Sequence, residues 1–276
     1  MTIALSVKFS DGVVLATDSA VTLSSSRGVH NIYQNSNKIF NLHRDLPLGV
    51  MIWGSGSLGE YSLSNLIKDF REEFDQENLQ DGYQLSEVAS EFAEYLEEFY
   101  QQLEEDIDDN EDWPEFGVKI AGYSENTESE DFPETFTYNF SDGQMNGPRV
   151  VIEQGVRITS HAANDAIIRL MGGISNEAMS YLMQNLELDQ ENTEDLFQGI
   201  MDYSSINLAS RHMPVQDAID LADFLVEVTK KFYRFRPGPP VVGGPTEIAS
   251  ITKHENFKWI DRKHYYDQEL NPEDPH

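Results

Sequence analysis

The chain has no cysteine, so it can hold neither a disulfide framework nor a Cys-ligated metal. That suits a reducing compartment, and a cytoplasmic protein is expected. Its seven histidines are scattered and form no H-E-x-x-H or comparable cluster. No metal and no cofactor are expected. No stretch approaches the ~18–20 continuous apolar residues of a membrane span, and no secretory signal precedes Thr2. Basic residues are scarce: 19 Lys and Arg face 49 Asp and Glu, a formal net charge of −30. A field of that sign repels nucleic-acid phosphates and anionic membrane surfaces, so neither is expected as a partner.

The acids are concentrated. From Glu87 to Glu134 there are 18 acids and a single base, Lys119. Two readings stand: a solvated, solubilising surface, or an acidic rim that selects basic or unfolded substrates. At 276 residues the chain can bury one large core. The expected organisation is a single domain over 1–266 with an acidic insertion near 104–135, followed by a polar, Pro-containing tail at 267–276.

The N-terminal segment carries the chemistry. Ile3, Leu5, Val7 and Phe9 alternate with Ala4, Ser6 and Lys8, the period-two pattern of a strand. Asp11-Gly12 is a hairpin-turn signal, and Val13–Ala16 is apolar on both faces, as in a sheet covered on each side. A tight turn brings Asp18 back beside Thr2. If Met1 is removed, Thr2 carries a hydroxyl and a free α-amine on one residue. A hydroxyl needs a base within hydrogen-bond reach, and an α-amine titrates near ~7.7–8.0. The plainer reading of Asp18 is a turn or cap residue.

Asn37–Leu42 reads as a short strand bearing Lys38, which is either a surface lysine with its stem on apolar neighbours or a cation aimed at the site. Leu48–Trp53 is a further apolar strand running into Gly54-Ser55-Gly56-Ser57-Leu58-Gly59-Glu60. Glycines at a strand-to-helix junction let backbone N–H groups approach a ligand, although such a run is also an ordinary flexible turn.

Apolar residues at helical spacing predict helices from Leu63 to about Gln76 and from Leu85 to Leu103. Phe116–Tyr123, Phe132–Phe140, Val150–Ile158 and Val241–Ile251 read as strands. A helix following Thr159-Ser160-His161 is expected to run through Leu170, with Ser160 as its N-cap in the plain reading. Further helices are expected over 176–186, 193–211 and 215–233, the last stopped by Arg236-Pro237-Gly238-Pro239-Pro240.

Taken together, the strand-turn-strand ending in Asp18, the Lys38-Ile39-Phe40 strand and the Ser55-Gly56-Ser57-x-x-Glu60 turn resemble the proteasome-type N-terminal nucleophile hydrolases, bacterial β-subunits among them. Val242–Lys253 is similar to that family's late strand. The resemblance implies a four-layer αββα sandwich and a threonine-type endopeptidase of intracellular protein degradation. It implies Thr2 as nucleophile and, through its amine, base. Lys38 would lower the amine's pKa, Asp18 would hold Lys38, and Ser160, or Thr159 in its place, would shuttle a proton. The Gly56 N–H would receive the oxyanion, with Gly54 the other candidate. Val21, Ser36, Gly54 and Leu58 would line a substrate pocket. Implied partners are a peptide or unfolded protein, copies of the chain in a homo-oligomeric ring or stack, and a separate ATP-dependent unfoldase, since the sequence contains no P-loop.

The chain departs from the family pattern where an Asp and a Ser or Thr precede the glycines matching Gly243-Gly244; here Pro239 and Val242 stand. Two alternatives therefore stay open: a catalytically silent assembly protein, and an amidase acting on a small-molecule amide. Silent subunits of the family carry a helix ahead of the first strand, and a strand that starts at once favours the catalytic type.

Overall fold

The computed structural model describes residues 2–25, 28–74, 82–105, 113–125, 132–150, 155–185 and 190–264. Met1, the tail at 267–276 and the acid-rich stretches 106–112 and 126–131 lie outside them.

The order of elements is β1 (Ile3–Phe9), β2 (Gly12–Thr17), β3 (Val21–Ser25), β4 (Gly28–Tyr33), β5 (Ile39–Asn41), β6 (Leu48–Gly54), β7 (Ser57–Leu58) and β8 (Tyr61–Ser62). Helices α1 (Leu63–Phe74) and α2 (Leu85–Gln102) follow, then β9 (Phe116–Gly122), β10 (Glu134–Ser141), β11 (Gln144–Val150) and β12 (Arg157–Ala162). The chain continues through α3 (Asp165–Gly172), α4 (Asn176–Asn185), α5 (Gln190–Ser204) and α6 (Val215–Phe235) to β13 (Glu247–Thr252) and β14 (Asn256–Asp261).

The fold is mixed α/β, built on two five-stranded antiparallel sheets. One has the order β12-β1-β2-β13-β14, the other β11-β10-β9-β6-β5. The alternation in β1 has a direct physical reason. Ile3, Leu5, Val7 and Phe9 pack against Ala218, Ala222 and Leu225 of α6, while Ala4 turns toward the second sheet. In β2 the apolar run splits the same way: Val14 and Ala16 face α6, and Val13 and Leu15 meet Met51, Trp53 and Ala121 of the second sheet. That sheet buries Val50, Ile52, Val118 and Ile120 against Leu66, Ile67 and Phe70 of α1 and Phe92 and Leu96 of α2. Each large apolar side chain so buried contributes about 1.5–3 kcal/mol before the entropy of ordering it is counted.

Two glycines record close approach. A Cβ on Gly12 would lie 2.7 Å from the Ile251 carbonyl oxygen of β13, and one on Gly117 would lie 2.3 Å from the Trp53 ring. The β1–β2 turn proper is Ser10-Asp11, since Phe9 pairs with Gly12.

Several boundaries differ from those read in the sequence. Ser160 is not a helix cap: β12 runs to Ala162, and α3 begins after Asn164. A strand pairs Ser160 with Leu5 because the β1 edge needs a partner. The expected strand over 150–158 lies partly outside the described residues; its last two positions open β12. The helix expected over 193–211 is α5, which runs from Gln190 and ends at Ser204, whose hydroxyl donates its one hydrogen between the carbonyls of Ile200 (2.7 Å) and Gly172 (2.5 Å). The late strand starts at Glu247, not Val241. Gly244 has φ +76°, and a Cβ there would meet the Gln34 carbonyl oxygen at 2.3 Å, so the Gly243-Gly244-Pro245 segment is a loop against the β2 end. The hairpin β3–β4 and the edge strands β11 and β14 give no clear alternation in sequence. Among the described residues no helix is long and apolar enough to cross a membrane.

Candidate active site

The β1–β2 hairpin places the end of one strand beside the start of the other. Asp18, fully buried, lies just past β2, and its backbone N–H donates to the Ile3 carbonyl at 3.4 Å. Its carboxylate is saturated. Oδ1 accepts from the Ile3 N–H (3.1 Å) and from Lys38 Nζ (2.7 Å); Oδ2 accepts from the N–H groups of Ala20 (3.2 Å) and Gly243 (2.9 Å). Three backbone donors and an ammonium fix both oxygens, so the carboxylate is an anchor with no lone pair turned toward a substrate.

Lys38 sits at the entry to β5, its carbonyl held by the Ile52 N–H of β6 at 2.9 Å. Its side chain crosses to the first sheet, where Nζ donates to Thr2 Oγ1, to Asp18 Oδ1 and to the Ala20 carbonyl at 2.5 Å. The side chain is 4% exposed. Burial lowers the Lys38 pKa below the usual lysine value, with Lys263 adding to the effect and Asp18 opposing it. Thr2 is itself buried; its hydroxyl donates to the Ala20 carbonyl at 3.3 Å, and its carbonyl accepts from the Ala163 N–H at 2.7 Å.

A second cation stands behind Asp18. Lys263, just past β14, donates from Nζ to Ser19 Oγ (2.8 Å) and to the Ser36 carbonyl (2.6 Å) and pairs with Glu247 Oε2 at 3.0 Å. Ser19 in turn donates from Oγ to the Pro245 carbonyl and from its N–H to the Gly243 carbonyl, at 2.7 and 3.0 Å. The loop carrying Asp18 is thus bolted to the Gly243–Pro245 loop. Burial lowers the Lys263 pKa as well. Nothing in the spacing of residues 18, 38, 247 and 263 announces this second pair, because it forms only when the last strand folds back.

The remaining candidates are spread out. Gly56 lies beside Val21, whose Cγ2 would be 3.8 Å from a Cβ at Gly56, leaving room that Gly54 lacks. Gly54 has φ +89° and a Cβ there would meet the Glu115 carbonyl oxygen at 2.4 Å, which accounts for glycine at that position by packing alone. The Gly56 carbonyl accepts from the Leu63 N–H at 3.0 Å, orienting the turn at the entry to α1. Val21 and Ser36 are half-buried near the cluster, Ser36 donating its N–H to the Ser19 carbonyl at 2.9 Å. Leu58 is fully buried among Leu63, Leu66 and other residues of the helix-side core and lends no surface to a pocket.

Ser160 shares its face of the first sheet with Leu5, its register partner, and so points to the α6 side, away from Thr2. Thr159 is on the Thr2 face but pairs with Ser6, four residues along β1 and roughly 13 Å from Thr2. The residue on that face nearer Thr2 is His161, opposite Ala4 and stacked on Trp53 with ring centroids 4.1 Å apart. Burial, with Lys119 adding to it, pushes the His161 pKa down to about 3, so the ring is neutral at physiological pH. Among the described residues, no group of three or more His, Cys, Asp or Glu is placed to hold a metal ion.

No family model matches the chain, and no curated protein matches it in sequence. This corrects the expectation of membership in the proteasome-type peptidase family, in which neither a family model nor a curated protein places the chain. Among solved structures the chain is similar to the Anbu complex from Pseudomonas aeruginosa, determined as a helical assembly, with a TM-score of 0.53 and 13% identity over 97% of this chain and 90% of that one. At that identity the likeness is one of fold, and the chain therefore shares the fold of a protein that builds a helical assembly.

Proposed function

We propose that the chain is a threonine-type amide-bond hydrolase, an endopeptidase acting on peptides or unfolded proteins, with Thr2 Oγ1 as nucleophile. The observation that carries this reading is the buried contact of Lys38 Nζ with Thr2 Oγ1 while the same ammonium holds Asp18 at 2.7 Å. Cleavage of the bond ahead of Thr2 uncovers its α-amine. That amine takes the hydroxyl proton as Oγ1 attacks the substrate carbonyl, and Lys38 stabilises the charge developing on Oγ1. The Gly56 N–H receives the oxyanion. Collapse expels the amine product, which takes the proton from the α-ammonium, and leaves an ester on Thr2; water, deprotonated by the same amine, then releases the acid. Asp18 acts as an anchor that positions Lys38. Thr159 and Ser160 have no part in this scheme, because the one is distant and the other faces α6.

The three buried cores support a four-layer αββα arrangement in one domain spanning 1–266. Likeness to a protein that forms a helical assembly supports a homo-oligomer here. A silent assembly subunit is the second reading, favoured by large exposed side chains on α4 and α5, Tyr181 and Tyr203. Turnover of fluorogenic peptides by the wild-type chain and by Thr2→Ala separates the two. Hydrolysis lost in the variant with the assembly intact supports the enzyme; turnover equal in both rejects it.

A further inference from the structure

Between the sheets, about two turns of pleat along β1 from Thr2, lies a group of basic and hydroxyl side chains that the proposed reaction does not use. Lys119 projects from β9 into the gap and is 3% exposed. Its ammonium donates to Thr159 Oγ1 at 2.6 Å and to Ser6 Oγ at 3.2 Å, and those hydroxyls lie 2.6 Å from each other. No carboxylate contacts Lys119 among the described residues. The charged groups that act on it are cations, Arg157 and Lys8, and with burial they lower its pKa to about 7. Lys8 and Arg157 are direct register partners across β1 and β12, and like charges placed opposite one another are destabilising. Lys8 has Glu134 as an acidic neighbour, yet burial still brings its pKa to about 8.

An independent observation comes from the same face of β12. His161, two residues beyond Thr159 and on the same face of β12, has a buried Nε2 with no hydrogen-bond partner among the described residues. Its ring is held by stacking on Trp53, so the nitrogen is not there by accident of a loose rotamer. Thr137, the register partner of Lys119 on β10, is only partly buried and borders the gap from the second sheet.

A buried ammonium with no carboxylate partner among the described residues and a buried ring nitrogen with no hydrogen-bond partner are costly unless something completes them. From this geometry we propose that Lys119, Ser6, Thr159 and His161, with Lys8 and Arg157 at the rim, form a binding site for a phosphate group. Ser6 and Thr159 share one hydrogen bond, so a single hydroxyl hydrogen is left to donate beside the Lys119 ammonium; with Lys8 and Arg157 at the rim, the two charges and four oxygens of phosphate match this set more closely than a singly charged carboxylate does. In a chain of net charge −30, a converging set of cations is a local inversion of the field, and it would draw a small oxyanion to this one gap. The group is either inorganic phosphate or the phosphomonoester of a small molecule. The site stands apart from the Thr2 reading and does not depend on it.

The test uses the full chain and needs no enzymatic assay. Thermal unfolding is followed in 10 mM sodium phosphate and in sodium chloride of equal ionic strength, with glycerol 3-phosphate and acetate as further arms. A midpoint rise of roughly 3 °C or more in phosphate over chloride is expected. Lys119→Met should lose it, and Thr159→Val should reduce the affinity at least fivefold. Line broadening of the phosphorus resonance of inorganic phosphate by the wild-type protein gives a readout that survives if a variant does not fold. Glycerol 3-phosphate acting as well as phosphate assigns the source to phosphomonoesters, and phosphate acting alone assigns it to the free ion. No rise over chloride in the wild type, an equal rise with acetate, or a rise kept in both variants overturns the proposal.

Discussion

Lys38 Nζ lies 2.7 Å from Asp18 Oδ1, and the same ammonium touches Thr2 Oγ1. A carboxylate held by three backbone N–H groups leaves that lysine almost no freedom to move. The pair therefore bears on stability as well as on chemistry. Lys38→Met strands a buried carboxylate, and breaking one side of a buried pair costs about 3–5 kcal/mol. Denaturant unfolding should record a loss of that size. Asp18→Asn keeps the shape and two acceptor lone pairs but forces an amide N–H₂ against a backbone donor, so it too should destabilise. Under the proposed mechanism both variants lose peptide turnover by at least about 100-fold, as expected when a positioned electrostatic donor is removed.

Lys263 is a positioning residue in this account, because it touches Ser19, Ser36 and Glu247 and never Thr2. Its charge lowers the Lys38 pKa across Asp18. Lys263→Gln should therefore raise the Lys38 pKa, seen directly by nitrogen-detected NMR of the lysine side chains. Lys263→Arg, which keeps the charge, should restore it. A merely structural role would move the unfolding midpoint and leave the titration where it was.

Much of this cluster was legible because it is local in topology. The Thr2-to-Asp18 approach follows from one hairpin, and the alternation of Ile3, Leu5, Val7 and Phe9 gives both the strand and its buried face. Lys38 was legible as a candidate cation, although it reaches the site from the second sheet. Ser160 was misread because Thr-Ser-His ahead of an apolar helical pattern has the composition of an N-cap, while the register of β12 against β1 is decided by distant residues. Gly243 looked like part of a strand, yet it bends away to donate to Asp18, and a pattern of apolar residues carries no trace of that bond. Lys263 meets Ser19, and Lys119 meets Ser6, across more than a hundred positions, and such contacts leave no spacing to read.

Lys119 should make stability depend on pH. Its folded pKa of about 7 lies below the value of 10.5 for an unperturbed lysine, so between those limits the unfolded chain binds more protons than the folded one. Stability from this group then rises with pH across that window and is lost as pH falls toward 7. The slope approaches about 1.4 kcal/mol per pH unit for one proton. In phosphate-free buffer, the difference in unfolding free energy between wild type and Lys119→Met should grow in favour of the wild type from pH 7 to pH 10. Comparing the two chains cancels the repulsion of the remaining charges.

Gly117→Ala tests the wall between the two sites. The added methyl would meet the Trp53 ring at 2.3 Å, so the indole must shift and its stack on His161 must break. Overpacking of this kind costs about 1–3 kcal/mol. The loss should appear in denaturant unfolding together with a change in Trp fluorescence.

The most direct measurement is mass spectrometry of the active protein after reaction with a β-lactone, which acylates an activated hydroxyl. The account predicts a chain whose first residue is Thr2, carrying one acyl group on that residue's hydroxyl, with labelling abolished in Lys38→Met. Peptide-hydrolysing material in which Thr2 is still preceded by another residue, or in which the acyl group sits elsewhere, would contradict it.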